Sequence, residues 1–241
     1  MKLTKIDDSR LFWAVAAAIC VAATALAVFH PLLATDTACR YAPMAEAFAA
    51  GEWAEAFHPR FGVGFPVLSG TCVFLSGCDG YAACSAIAAL AWALGAIPVF
   101  RLASRVFDRR TAWFALILYA ICPQPYLWAL KGLREPFKLL GVLLMADGVV
   151  RSRDGSGRTA VLFEMCAGLA LMFLFKCDAI LLGGLLALAF AFCDGWSRRT
   201  WMMAASGALA LQPMCFVVWE WTGWWLPAPH YVTILEKVFG G

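Results

Sequence analysis

Residues 11–34 run for twenty-four positions without an Asp, Glu, Lys or Arg. About 20 apolar residues in a helix cross the hydrocarbon core of a bilayer, so this run alone predicts a membrane span. Further predominantly apolar runs, some carrying one or two charged residues, follow at 81–102, 111–130, 137–150, 159–175, 179–193 and 200–221. The fourth is short and needs residues 133–138 to lengthen it. A soluble domain is about half apolar and about one quarter charged. This chain is 63% hydrophobic and 15% charged, the composition of an integral membrane protein. The prediction is an all-α, polytopic helical membrane protein with about seven transmembrane helices, the 241 residues forming one transmembrane domain.

Charge gives the orientation. Lys2, Lys5 and Arg10 precede the first run, and RLASRVFDRR, RSRDGSGR and SRR lie in alternate connections. Assigning those connections to the cytoplasm puts twelve of the nineteen Lys and Arg inside, the bias that cytoplasmic loops carry. The N-terminus is then cytoplasmic and the C-terminus outside. The first run is long for a cleaved signal peptide and is followed by further spans, so it reads as an uncleaved helix. A net charge of +3 is too small to argue for nucleic acid. The ten cysteines form no CxxC and no Cys/His ligand pattern, and most sit inside apolar runs as small hydrophobes. Cys39, Cys72 and Cys78 fall outside those runs, where an oxidising compartment would allow a disulfide.

The polar chemistry concentrates between the first two spans, in an outer loop of about 35–80. Pro43 at a first-turn position and Gly51 beyond the end frame a short helix over 43–50. Its apolar side, Met44, Ala47 and Phe48, suits a membrane surface. The apolar patch 66–76 is too short to span and reads as a second interfacial segment.

Asp36 stands just beyond the first span. A carboxylate there serves as a general base for an acceptor hydroxyl, or binds a divalent cation balancing a phosphate, or caps a turn. The turn KGLREP before the fourth span carries Lys131, Arg134 and Glu135, with Lys138 one turn on. Three cations at the outer surface oppose the positive-inside trend. They suit a lipid phosphate, or they snorkel to the interface. Glu135 beside Pro136 suits the positive end of a helix dipole. Lys176 and Asp178 at the tip of the fifth and sixth runs form either a site pair or a solvated turn, and His58 reads as a loop residue. Asp147 and Glu164 lie close enough to the cytoplasmic ends of their runs to reach water.

The pattern D-(x4)-Y-(x9)-G, realised as Asp36, Tyr41 and Gly51, is followed by His58-Pro59 and by Gly64-x-Pro66. It resembles the first outer loop of the GT-C class of polytopic glycosyltransferases. That class includes the protein O-mannosyltransferases, the bacterial aminoarabinose transferases and the RgtA/B/C/D-like transferases. The likeness continues through RLASRVFDRRTAW, the Pro123 region, the REP turn and the KCD tip, covering about 11–193. It implies a bacterial inner-membrane glycosyltransferase moving a sugar from a polyprenyl-phosphate donor to an acceptor at the outer face. Asp36 would be the catalytic base or metal-associated carboxylate, and Glu135 the second outer acid. Tyr41, His58, Lys131, Arg134, Lys138, Lys176 and Asp178 would bind substrate. No cofactor is implied beyond a divalent cation at Asp36. Relatives often carry a second acid beside the first, whereas Thr35 and Thr37 flank Asp36 here. They are also longer, so the expectation includes an N-terminal module of a larger transferase. The competing class is a non-catalytic membrane protein, either a carrier of lipid-linked sugars or an inactive homologue. Midplane acids, broken helices and repeated halves would mark a transporter, and the sequence displays none.

Overall fold

The computed structural model describes residues 8–29, 32–57, 63–153 and 158–175, and among these the secondary structure is all helical. The first helix, α1 (Asp8–Phe29), stops ahead of Pro31, in keeping with proline's exclusion of helix from the residue before it. The outer loop then forms a π turn (Thr37–Tyr41), α2 (Ala42–Ala50), α3 (Trp53–Ala56) and α4 (Gly64–Ser76). Next come α5 (Gly80–Leu94), α6 (Ala96–Val106), α7 (Arg109–Ile121), α8 (Pro123–Leu130), α9 (Glu135–Arg153) and α10 (Arg158–Phe175).

Phe12–Phe29 and Gly80–Val106 are long and apolar enough to cross a membrane. The third expected span is bent. Cys122 takes an extended backbone before Pro123, and α7 and α8 meet there at 46°. The fourth and fifth expected spans fall on α9 and α10. The sixth and seventh, 179–193 and 200–221, lie outside the described residues.

Small residues set the helix contacts. Ala23 and Ala27 of α1 pack on Ala89, Trp92 and Ala93 of α5. Such pairs let helix backbones approach closely where lipid supplies no hydrophobic drive. α1 is also pinned to α6 by Phe12 stacked on Phe100 at 4.5 Å. Its other face, with Val21 and Phe29, is exposed as a lipid-facing surface would be. A Cβ on Gly141 of α9 would come within 2.8 Å of the Gly168 carbonyl of α10, and the reverse contact is equally close. The α9–α10 hairpin therefore needs glycine at both positions.

This close approach buries charge at the basic end of the bundle. Asp147 is fully buried and Glu164 nearly so, rather than reaching water as their depth suggests. Arg101 of α6 pairs with both acids, at 2.6 Å to Asp147, and Arg151 pairs with Glu164 at 2.5 Å. Arg101 and Arg151, counted in the sequence among the charges assigned to the cytoplasmic side, are thus committed to buried acids.

The outer-loop helices also differ from expectation. Met44 and Ala47 of α2 turn into the protein, and α4 lies over them with Gly70 against Phe48. α4 itself exposes Leu68, Phe74 and Leu75.

Removing one partner from a buried ion pair strands the other charge. Glu164→Ala should destabilise the protein by about 3 kcal/mol, the low end of such losses because Arg101 is 34% exposed and keeps some solvation. Denaturant unfolding in detergent checks this. An unchanged midpoint would mean that the arginines simply turn to water.

Candidate functional site

The approach to Asp36 is held from α5. The Tyr81 hydroxyl donates to the Leu32 carbonyl and accepts from the Ala34 N–H at 2.9 Å. The Leu32 N–H donates to the Leu130 carbonyl at 3.1 Å. Asp36 then leads into the π turn. Pro43 has no N–H to give the carbonyl four residues back, and its ring would crowd that carbonyl. The wider turn relieves the conflict, with the Ala42 N–H reaching the Thr37 carbonyl five residues earlier.

Asp36 makes no capping hydrogen bond. Its carboxylate pairs instead with Arg40 at 3.1 Å, one turn on, and both side chains are more than half exposed. Between them on the inner side, Thr37 is fully buried. Its hydroxyl lies 2.5 Å from the Lys131 carbonyl and 3.2 Å from that of Gly132.

Those carbonyls belong to the end of α8. The Gly132 N–H bonds to the Ala129 carbonyl and the Leu133 N–H to that of Trp128. This is a Schellman cap, with Gly132 at φ +62. A Cβ at Gly132 would also sit 3.0 Å from both Ser85 and Thr37. The position needs glycine twice over, for its dihedral and for its neighbours.

The cap delivers Arg134 and Glu135. The Arg134 guanidinium lies 5.8 Å from the centre of the Tyr41 ring and donates to the Phe175 carbonyl at 3.3 Å. Glu135 pairs with Lys138 at 3.0 Å in the first turn of α9. Tyr41 is nearly buried on an aromatic floor. Phe65 meets it edge-on at 5.1 Å, and Phe137 stacks on Phe175 at 3.9 Å. Burial pushes the Tyr41 phenol up to about 12. The Arg134 charge lowers it, Glu135 and Asp36 raise it, and Arg40 lowers it. Tyr41 is thus a protonated hydrogen-bond donor through the physiological range, surrounded by charges from both segments.

Of the residues singled out in the sequence, Asp36, Tyr41, Lys131, Arg134, Glu135 and Lys138 gather at this end of the bundle. Lys131 contributes its carbonyl as the α8 cap. His58, Lys176 and Asp178 lie outside the described residues. Sequence reasoning missed Arg40, whose i,i+4 spacing from Asp36 was the available signal. It also missed Thr37, whose partner is 94 residues away. Among the described residues no group of three or more His, Cys, Asp or Glu is placed to hold a metal. Asp36 beside Arg40 does not make a cation site by itself.

The Thr37 junction yields a direct test. Thr37→Val keeps the shape but leaves buried carbonyls without their donor, which costs about 1–3 kcal/mol. Thr37→Ser should stay near the wild type. Thermal unfolding of the two variants in detergent separates them, and equal melting points would show that the hydroxyl holds nothing.

A family model described as dolichyl-phosphate-mannose-protein mannosyltransferase matches residues 67–221, more than half of the chain. Neither a curated protein nor a solved structure matches. The matched stretch contains the Lys131–Lys138 turn, while Asp36 and Tyr41 precede it.

Proposed function

The chain belongs to the dolichyl-phosphate-mannose-protein mannosyltransferase family of GT-C membrane glycosyltransferases, and on that premise we propose that it transfers a sugar from a polyprenyl-phosphate donor to an acceptor hydroxyl at the outer face of a bacterial inner membrane. The N-terminus and the basic end of the bundle then face the cytoplasm. The observation that carries the site assignment is the Thr37 junction, which holds the Asp36 turn against the turn bearing Arg134.

A donor of this kind keeps its lipid in the bilayer and carries its charge at the surface. Arg134 and Lys131 meet the phosphate, and the arginine fork suits its oxygens. The acceptor oxygen attacks the anomeric carbon, the bond from that carbon to the phosphate oxygen breaks, and Asp36 takes the hydroxyl proton. The departing lipid phosphate carries away the bonding pair, and its charge is balanced by Arg134. Arg40 orients the Asp36 carboxylate toward the open side of the site. Tyr41, held protonated, donates to a sugar or phosphate oxygen. Glu135 fixes Lys138 near the same phosphate and is the alternative base. His58, Lys176 and Asp178 are proposed to line the substrate approach. A divalent cation, if the donor brings one, would use Asp36 together with phosphate oxygens.

Loss of a general base typically costs 10²–10⁴-fold in rate. Asp36→Asn keeps the side-chain size and removes the charge. It should retain donor binding and melting temperature while transfer falls by about that factor. Arg134→Ala should weaken donor binding as well. Initial rates with a polyprenyl-phosphate sugar, alongside donor titration by fluorescence, check both. An Asp36→Asn enzyme turning over at the wild-type rate would remove Asp36 from the chemistry and point to Glu135, with Glu135→Gln as the companion variant.

A further inference from the structure

The C-terminal end of α4 brings two thiols together. The helix closes on Gly77 in the left-handed conformation, φ +67, and the Gly77 N–H donates to the Val73 carbonyl at 2.8 Å. In such a cap the residue after the glycine folds back onto the last turn, and its side chain meets the residue three or four positions inside the helix end. Here that residue is Cys78, and four positions inside the end is Cys72. Ser76 Oγ stands between them, 2.7 Å from the Cys72 carbonyl and 3.0 Å from Cys78 Sγ. The Cys78 N–H closes the turn on the same oxygen at 3.3 Å. Cys78 Sγ is thus turned back onto the last turn of α4 at Ser76, and Cys78 is the neighbour that acts on the Cys72 thiol. Both thiols are half-buried, so a small oxidant reaches them.

We infer that Cys72 and Cys78 close a disulfide across the cap of α4, a modification site on the outer loop. Each thiol gives up its proton and one S–S bond forms. The two electrons and two protons pass to an oxidised disulfide such as glutathione disulfide, which becomes two thiols. The oxidising compartment rests on the orientation proposed above.

The bond would secure more than the cap. Cys78 is followed by Asp79, whose carboxylate caps α5 at the Ala82 N–H, and by Gly80, whose N–H donates to Glu46 of α2 at 2.9 Å. Tyr81 comes next and holds the backbone leading into Asp36. Locking Cys78 therefore stiffens the joint from which the Asp36 turn is held. Burial, and then the neighbouring Cys78, push the Cys72 thiol above its ordinary value. The attacking thiolate is scarce at neutral pH, so exchange should accelerate as pH rises toward that value.

The test uses the full chain in two arms. Purified protein in detergent is incubated with glutathione disulfide, alkylated, digested and weighed. The expected product is an internal link between Cys72 and Cys78, two hydrogens lighter, with alkylation at both falling about tenfold. Exposed Cys39 stays open to reagent as the internal control. Cys72→Ser should return Cys78 to full alkylation. If both thiols remain alkylated, or pair with Cys39 or with glutathione only, the inference fails. In the second arm, membranes are acid-trapped before alkylation. The same link found there supports the native disulfide. Two free thiols there overturn it, and beside a positive first arm they place the fault in the orientation, not the pairing.

Discussion

A helix that ends at the edge of a bilayer leaves carbonyls that must find donors within the protein, and the way α8 ends decides where the charges of this protein stand. Its last carbonyls are met by the Schellman bonds at Gly132 and Leu133, and by the Thr37 hydroxyl arriving from the first loop. A buried carbonyl left without a donor costs about 1–3 kcal/mol, which is enough to select this junction over alternatives. Because Gly132 turns left-handed, the chain reverses and sends Arg134 toward Tyr41 instead of into solvent. One backbone requirement at a helix end thus fixes both halves of the site.

The two ends of the bundle use charge differently. At the basic end, Asp147 and Glu164 are buried and held by Arg101 and Arg151, so the charges neutralise one another in a packed setting. A cavity of about 500 Å³ adjoins them, lined by Trp13, Ile97, Leu144 and Phe163 among others. At the loop end, Asp36 and Arg40 are more than half exposed and their pairing is weak. A polar substrate can compete for such groups, whereas drawing Arg101 or Arg151 away at the basic end would strand the buried carboxylates of Asp147 and Glu164. This contrast favours the loop end as the place where ligands exchange.

The elements were legible where local rules decide them. The α2 boundaries followed from Pro43 and Gly51, and Lys131-Gly132 marked a helix end. The bend before α8 was not expected, because 111–130 reads as one unbroken apolar run, and only the structure shows the break that Pro123 and the extended Cys122 before it make. What stayed hidden depends on distant partners. Met44, Ala47 and Phe48 look like a membrane-facing stripe until α4 lies over them, and a stripe does not say whether lipid or protein covers it. Asp147 and Glu164 looked shallow because depth was counted along single helices. Their burial comes from the approach of α9 to α10 through Gly141 and Gly168, with Arg101 brought in by α6. The residues of the candidate site were legible as types, an acid beyond a span and cations against the charge trend. The junction that joins them was not, since a lone threonine beside an aspartate carries no sign of its partner.

The family match begins at residue 67 and so includes the cationic turn but not Asp36. Taken alone, it would leave the first loop as an attachment of unknown bearing. The packing removes that freedom. Tyr81 and Leu130, both within the matched stretch, hold the backbone before Asp36, and Lys131 and Gly132 hold the residue after it. Phe65, also ahead of the match, is enclosed by Tyr41, Phe137 and Phe175. A loop fixed on both sides of Asp36 cannot slide relative to Arg134 without breaking these hydrogen bonds. The packing therefore joins the Asp36 segment to the Lys131–Lys138 turn, which lies inside the stretch that matches the family.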